Sequence, residues 1–95
     1  MHKHSPEENK KLVNRMSRII GHANKVKSMI SEEDRNCTEV LIQLAAVRAA
    51  LTSLSKQILE EHINECMTEM SEFESEQERH EAIEALMDVV NQFVK

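Results

Sequence analysis

Apolar residues recur every three or four positions along this chain, in three blocks separated by two short polar stretches. The first block runs through Leu12, Met16, Ile19, Ala23, Val26 and Ile30, with Val13, Ile20 and Met29 beside them. That period keeps one face of an α-helix apolar. Ser5-Pro6-Glu7-Glu8 supplies the start: Ser as N-cap, Pro at the first helical position, Glu three residues after the cap. A helix is therefore predicted over about residues 6–30. Gly21 weakens it without ending it. After a polar loop over Ser31–Asn36, a near-heptad stripe runs through Val40, Leu44, Val47, Leu51, Leu54, Ile58, Ile63, Cys66, Met67 and Met70 with no breaker. It predicts a second helix over about residues 37–71, roughly 50 Å long at about 1.5 Å per residue. The stretch 71–79 is a polar hinge within which Ser75 and Glu78 repeat the capping box. Ala82, Ile83, Leu86, Val89, Val90 and Phe93 then give a third helix over about 76–94. The pattern contains no internal repeat.

Composition narrows this to an all-α fold. One Gly and one Pro in 95 residues leave little with which to turn strands. The apolar inventory is small: 40% hydrophobic residues, two Phe, no Trp and no Tyr. A single domain over residues 1–95 with so little bulk needs partner chains to complete its burial. No run of about 18 apolar residues stands out as a membrane span and no signal peptide is visible, so a soluble cytoplasmic protein without a membrane partner is expected. The two cysteines read as reduced thiols and not as a disulfide framework.

The net charge of −5 conceals a division. Residues 1–56 hold ten of the twelve Lys and Arg against six acids, whereas residues 57–95 hold Arg79 and Lys95 against eleven. The basic half keeps nucleic-acid binding open despite the acidic total. No Ser/His/Asp set, phosphate loop or paired carboxylates in a cleft point to an enzyme.

His62 and Cys66 stand four residues apart, so their side chains meet on one helix face. A thiolate with an imidazole suits Cu(I), Zn(II) or Ni(II), not Mg or Ca. A small buried Cys beside a surface His gives the same two-residue pattern. Cys37 adds weight, because it begins the second predicted helix, where the dipole favours a thiolate. On one straight helix it lies about 37 Å from His62, too far to share an ion. Two antiparallel copies of the helix would bring them together, with the two-fold axis near Ala50-Leu51. Ala45, Ala46, Ala49 and Ala50 are small enough for that approach, although alanines also serve helix propensity alone.

These residues fall into a recognisable order: Asn14-Arg15, Arg18-Ile19, Gly21, Met29-Ile30, Asn36-Cys37, then Val40 to Arg48 (VLIQLAAVR), then Leu59-Glu60-Glu61-His62 and Cys66. The chain resembles the copper-sensing operon repressor family, which also includes nickel/cobalt, formaldehyde and persulfide sensors. The resemblance implies antiparallel four-helix-bundle dimers that pair into tetramers. It also implies repression in the apo, reduced state, with release of operator DNA when an inducer binds. The implied inducer site is Cys37 of one protomer with His62 and Cys66 of another, and Cu(I) ranks first for it. Persulfide sensing through Cys37 and Cys66 as a thiol pair ranks second. Nickel ranks third, with His4, helped by His2, as an added ligand; both histidines fit a solvated tail equally. Copper sensors place a Tyr just before the first Cys and a Glu in the third helix, where this chain has Asn36 and Ala85, with Glu84 adjacent. The formaldehyde branch has an N-terminal Pro that Met1-His2 does not match.

No helix-turn-helix is legible. The basic residues instead lie on the first helix and early second helix, among them Lys11, Arg15, Arg18, Arg48 and Lys56. Arg15 matches a position at which family members contact DNA, while a second such position is Ser53 here. Repeated across a tetramer, these residues would make a broad positive face. A metal-handling protein that never meets DNA is the alternative from another class.

Overall fold

The computed structural model describes residues 4–93, so His2 lies outside the described residues. Three α-helices follow in order: α1 (Pro6–Ser31), α2 (Cys37–Met70) and α3 (Glu76–Phe93). No strand occurs among the described residues. The helix ends fall within a residue of those the periodicity predicts, because side chains fix them. Ser5 Oγ accepts from the Glu8 N–H at 3.1 Å, and Ser75 Oγ accepts from the Glu78 N–H at 3.0 Å. Asn36 does the same for α2: its Oδ1 accepts from the Glu39 N–H at 3.1 Å. Each cap satisfies one of the donors that a helix start leaves orphaned. At the far end of α1, the Arg35 guanidinium donates to the Ile30 carbonyl at 3.3 Å. Helix α1 runs unbroken through Gly21, where a Cβ would meet nothing within 4 Å.

The chain divides into two compact units, Met1–Lys56 and Gln57–Lys95, which is also where the charge changes sign. In the first unit, α1 and the first part of α2 form an antiparallel hairpin. Arg15 meets Ser53 and His22 meets Gln43, so contacts climb one helix as they descend the other. Ile19 and Val26 of α1 and Val40 and Leu54 of α2 are buried between them. Val40, half-buried Val47 and Leu54 are seven residues apart, the spacing that keeps a seam facing a neighbouring helix.

A second row, Leu44 and Leu51, is left 42% and 40% exposed, and Leu41 and Ile42 more so. With Ala23, Val26, Lys27, Ile30 and Val47, Leu44 lines an apolar groove of about 210 Å³ on the hairpin. Between Val40 and Ser55 the only charged residue is Arg48. This revises the reading of the chain as lacking any candidate span. An 18-residue window of α2 reaches a mean hydropathy of 1.3, so α2 is long and apolar enough to cross a bilayer by length and composition alone. Only 11% of that window is covered within the chain, which is the condition of a helix whose apolar side awaits a partner.

The second unit comprises the rest of α2, the connection 71–75 and α3. The Arg79 guanidinium donates to the Phe73 carbonyl at 2.6 Å, tying the connection to the first turn of α3. Leu59, Ile63, Cys66, Met70, Ala82, Leu86, Val89 and Val90 are half-buried. None of this unit's described residues is fully buried.

Leu54→Ala should lower the unfolding free energy in urea by about 2–5 kcal/mol, the range for emptying a packed leucine site. A loss below about 1 kcal/mol would place Leu54 outside the core.

Candidate functional site

Helix α2 carries two parts of the expected inducer site, one in each unit. In the second unit, one helical turn puts His62 and Cys66 on the same face, and Cys66 Sγ lies 3.6 Å from His62 Nε2. Both residues are half-buried. Burial pushes the Cys66 thiol above its ordinary pKa, with the Glu69 and then the Glu65 carboxylates adding to the rise. A metal ion that binds the thiol must displace its proton.

In the first unit, Cys37 is the first residue of α2, exposed, directly after the Asn36 cap. The structure therefore brings His62 and Cys66 together. No group of three or more His, Cys, Asp or Glu able to hold a metal occurs among the described residues. His4 is exposed just before the Ser5 cap. Where family members use a Glu in the third helix, Ala85 is exposed and neighbouring Glu84 pairs with His80 at 2.9 Å. Asn36 caps α2 in place of the expected Tyr.

The basic residues of the first unit are ordered more closely than their sequence indicates. Lys11, Arg18, Arg48 and Lys56 are exposed. Arg15 is half-buried and donates through Nη2 to Ser53 Oγ at 3.0 Å. Ser53, which stands where a second basic residue is expected, thereby fixes the first. Arg15, Arg18 and His22 line one cavity of about 190 Å³ with Ile19 and Ala50. His22 Nε2 lies 2.6 Å from Gln43 Oε1, so the ring nitrogen donates, and Gln43 Nε2 donates to Glu39 Oε1 at 3.0 Å. From the sequence, His22 carried no role, Gln43 was only part of the family motif, and Ser53 stood only as a missing basic residue. The signal for His22 was present: positions 15, 18 and 22 follow the three-and-four spacing of one helix face. Ser53 and Gln43 depend on the helix pairing and carry no such mark.

Residues 8–92 match a family described as metal-sensitive transcriptional repressors. The chain is 35% identical over 95 residues to the copper-sensing transcriptional repressor CsoR of Bacillus subtilis, covering 99% of this chain and 88% of that one. It is similar in structure to the nickel-responsive transcriptional regulator InrS, with a TM-score of 0.76 and 44% identity, covering 98% of this chain and all of the other. It is also similar to the copper-sensing repressor CsoR with Cu(I) from Geobacillus thermodenitrificans, with a TM-score of 0.83 and 34% identity, over 100% and 95% of the two chains.

The two carboxylates beside Cys66 give a direct check on its electrostatics. Glu65→Gln and Glu69→Gln each remove a charge that disfavours the thiolate, so alkylation of Cys66 by iodoacetamide at pH 8 should quicken. The expected factor is about two to five, the size of a screened surface interaction. Slower alkylation in either variant would contradict the arrangement.

Proposed function

This chain belongs to the family of metal-sensitive transcriptional repressors, and we propose that within it the protein is a Cu(I)-released repressor of operator DNA. It is a regulator and not an enzyme. The observation that carries the copper reading is the 3.6 Å approach of His62 Nε2 and Cys66 Sγ on one face of α2. Those two donors, with Cys37 from a second protomer, make two thiolates and one imidazole, a set that a soft monovalent ion prefers. The CsoR relative solved with Cu(I) supports the same ion.

A second copy of the chain supplies the missing thiol and covers the open apolar surface. Leu41, Ile42, Leu44 and Leu51 are exposed, and exposed Ala45, Ala46 and Ala49 on the same helix permit close approach. Antiparallel second helices then form the dimer, two dimers form the tetramer, and Lys11, Arg15, Arg18, Arg48 and Lys56 repeat on it as the DNA-binding face. The protein acts in the cytoplasm, where thiols stay reduced and operator DNA is at hand.

Nickel is the second reading. It is favoured by 44% identity to nickel-responsive InrS and by the position of His4 before α1. Persulfide sensing through Cys37 and Cys66 is the remaining alternative for the same site.

Fluorescence anisotropy on a duplex selected from a random pool, with Cu(I), Ni(II), Zn(II) and a persulfide donor added in turn, separates these readings. Cu(I) should release wild-type protein, and His62→Ala should stay on DNA when Cu(I) is added. Release by nickel alone, or by a persulfide donor with a Cys37–Cys66 link between protomers in mass spectra, would displace copper. Arg15→Ala should weaken DNA binding and reduce the slope of log K against log[salt] by about one per lost phosphate contact. An unchanged affinity and slope would remove Arg15 from the interface. Sedimentation should show a dimer or tetramer at micromolar concentration; a folded monomer would contradict the assembly.

A further inference from the structure

We propose that the cavity bounded by Arg15, Arg18 and His22 is an oxyanion site that seats one phosphate of the DNA backbone, with His22 as its third donor. The proposal rests on the repressor reading above and adds to it a ligand group and a dependence on pH. Two arginines and a histidine line a cavity of about 190 Å³ with Ile19 and Ala50, and no carboxylate is among its lining residues. A single water occupies only about 10–15 Å³ on such a measure, so there is room for a phosphoryl group. All three donors stand on α1, and α2 braces two of them, Arg15 and His22. Ser53 accepts from Arg15 across the helix pair and sets the guanidinium's orientation. Gln43 accepts from His22 Nε2 and is itself held by Glu39. A site whose donors are fixed beforehand loses less in ordering them when the anion arrives.

The fixed tautomer gives the pH dependence its sign. With Nε2–H donated to Gln43, a neutral ring has only the lone pair of Nδ1 left, which repels a phosphate oxygen. Protonation places an N–H there and adds a positive charge, so the phosphate prefers the imidazolium, and by reciprocity acid strengthens phosphate binding. An imidazole makes this change within the range pH 5–8. On α1, Arg15 and Arg18 line the cavity with His22 and Lys25 follows it by three residues, and on α2 Glu39 is reached through Gln43. The cavity is thus set to gain the third charge on binding.

Two measurements on the full-length protein test this. In the first, affinity for the selected duplex is followed from pH 8 to pH 6 for wild type and His22→Gln. The wild type should tighten by roughly three- to tenfold more than the variant, the worth of one partly exposed charge-assisted contact. In the second, the His22 ring resonances of wild type are followed by NMR during titration with inorganic phosphate and, separately, with the duplex. Both titrants should move them, and the duplex should prevent the shift caused by free phosphate. Wild-type DNA binding with the same pH dependence in His22→Gln, and unmoved ring resonances, would overturn this proposal while leaving the repressor reading in place. If wild type binds no duplex at any pH, the repressor reading fails. The phosphate titration then decides the site: a shift supports an oxyanion cavity, and no shift overturns it. Should His22→Gln fail to fold, Ser53→Ala, which removes the Ser53 hydrogen bond that orients Arg15, should weaken phosphate binding in the same titration, and an unchanged affinity would count against the site.

Discussion

The structure depends on a shortage of burial. Two long helices pack as a hairpin over four buried apolar side chains, Ile19, Val26, Val40 and Leu54, while Leu41, Ile42, Leu44 and Leu51 on the same stretch of α2 stay exposed. At about 25 cal/mol per Å² of apolar surface, leaving that row in water forgoes a large part of the stabilisation available to so small a chain. A second chain is the economical cover, and the proposed inducer site asks for the same thing. His62 and Cys66 converge within one turn of α2, but the described residues of one chain supply no third ligand beside them. Burial and ligation therefore make one demand, and a dimer of antiparallel second helices meets both.

The two halves of the chain divide the work chemically. The basic unit carries Arg15, Arg18, His22 and Lys56, and its polar groove is braced by Ser53, Gln43 and Glu39. The acidic unit carries the His62–Cys66 pair, where burial, then Glu69 and Glu65, push the thiol's pKa up. Helix α2 runs from the Cys37 end of one unit into the other, and in its first part Ser53 and Gln43 hold Arg15 and His22 of α1. For an inducer to release DNA it must bind one arrangement of these parts better than another. A site assembled across protomers offers such a difference, because its ligands are distant in one chain and close only in a particular packing.

Much of this was legible in the sequence. The caps at Ser5 and Ser75 were written as Ser-x-x-Glu, the helices as apolar spacing, and the pairing of His62 with Cys66 as a separation of four. Asn36 was legible as a loop residue but not as the cap of α2, since Asn serves both roles. Its partner is a backbone N–H that only the formed helix presents. What periodicity could not give is contact between helices. Ser53 looked like a lost basic residue until the hairpin placed it against Arg15, and only the same pairing sets Gln43 2.6 Å from His22. The α2 stripe also proved more apolar than its heptad reading implied, because the alanines between its leucines count toward a membrane-like composition without adding bulk.

The proposed inducer site is shared between two chains, and complementation tests that sharing most directly. Cys37→Ser and the double variant His62→Ala/Cys66→Ser are each prepared alone and titrated with Cu(I) against a competing chelator. They are then unfolded together, refolded as a mixture and titrated again. Each variant alone should fail to compete. The mixed protein should recover tight binding at one Cu(I) per heterodimer, since Cys37 from one chain then meets His62 and Cys66 from the other. Tight binding by either variant alone, or no recovery in a mixture shown to contain heterodimers, would contradict a site built across the protomers.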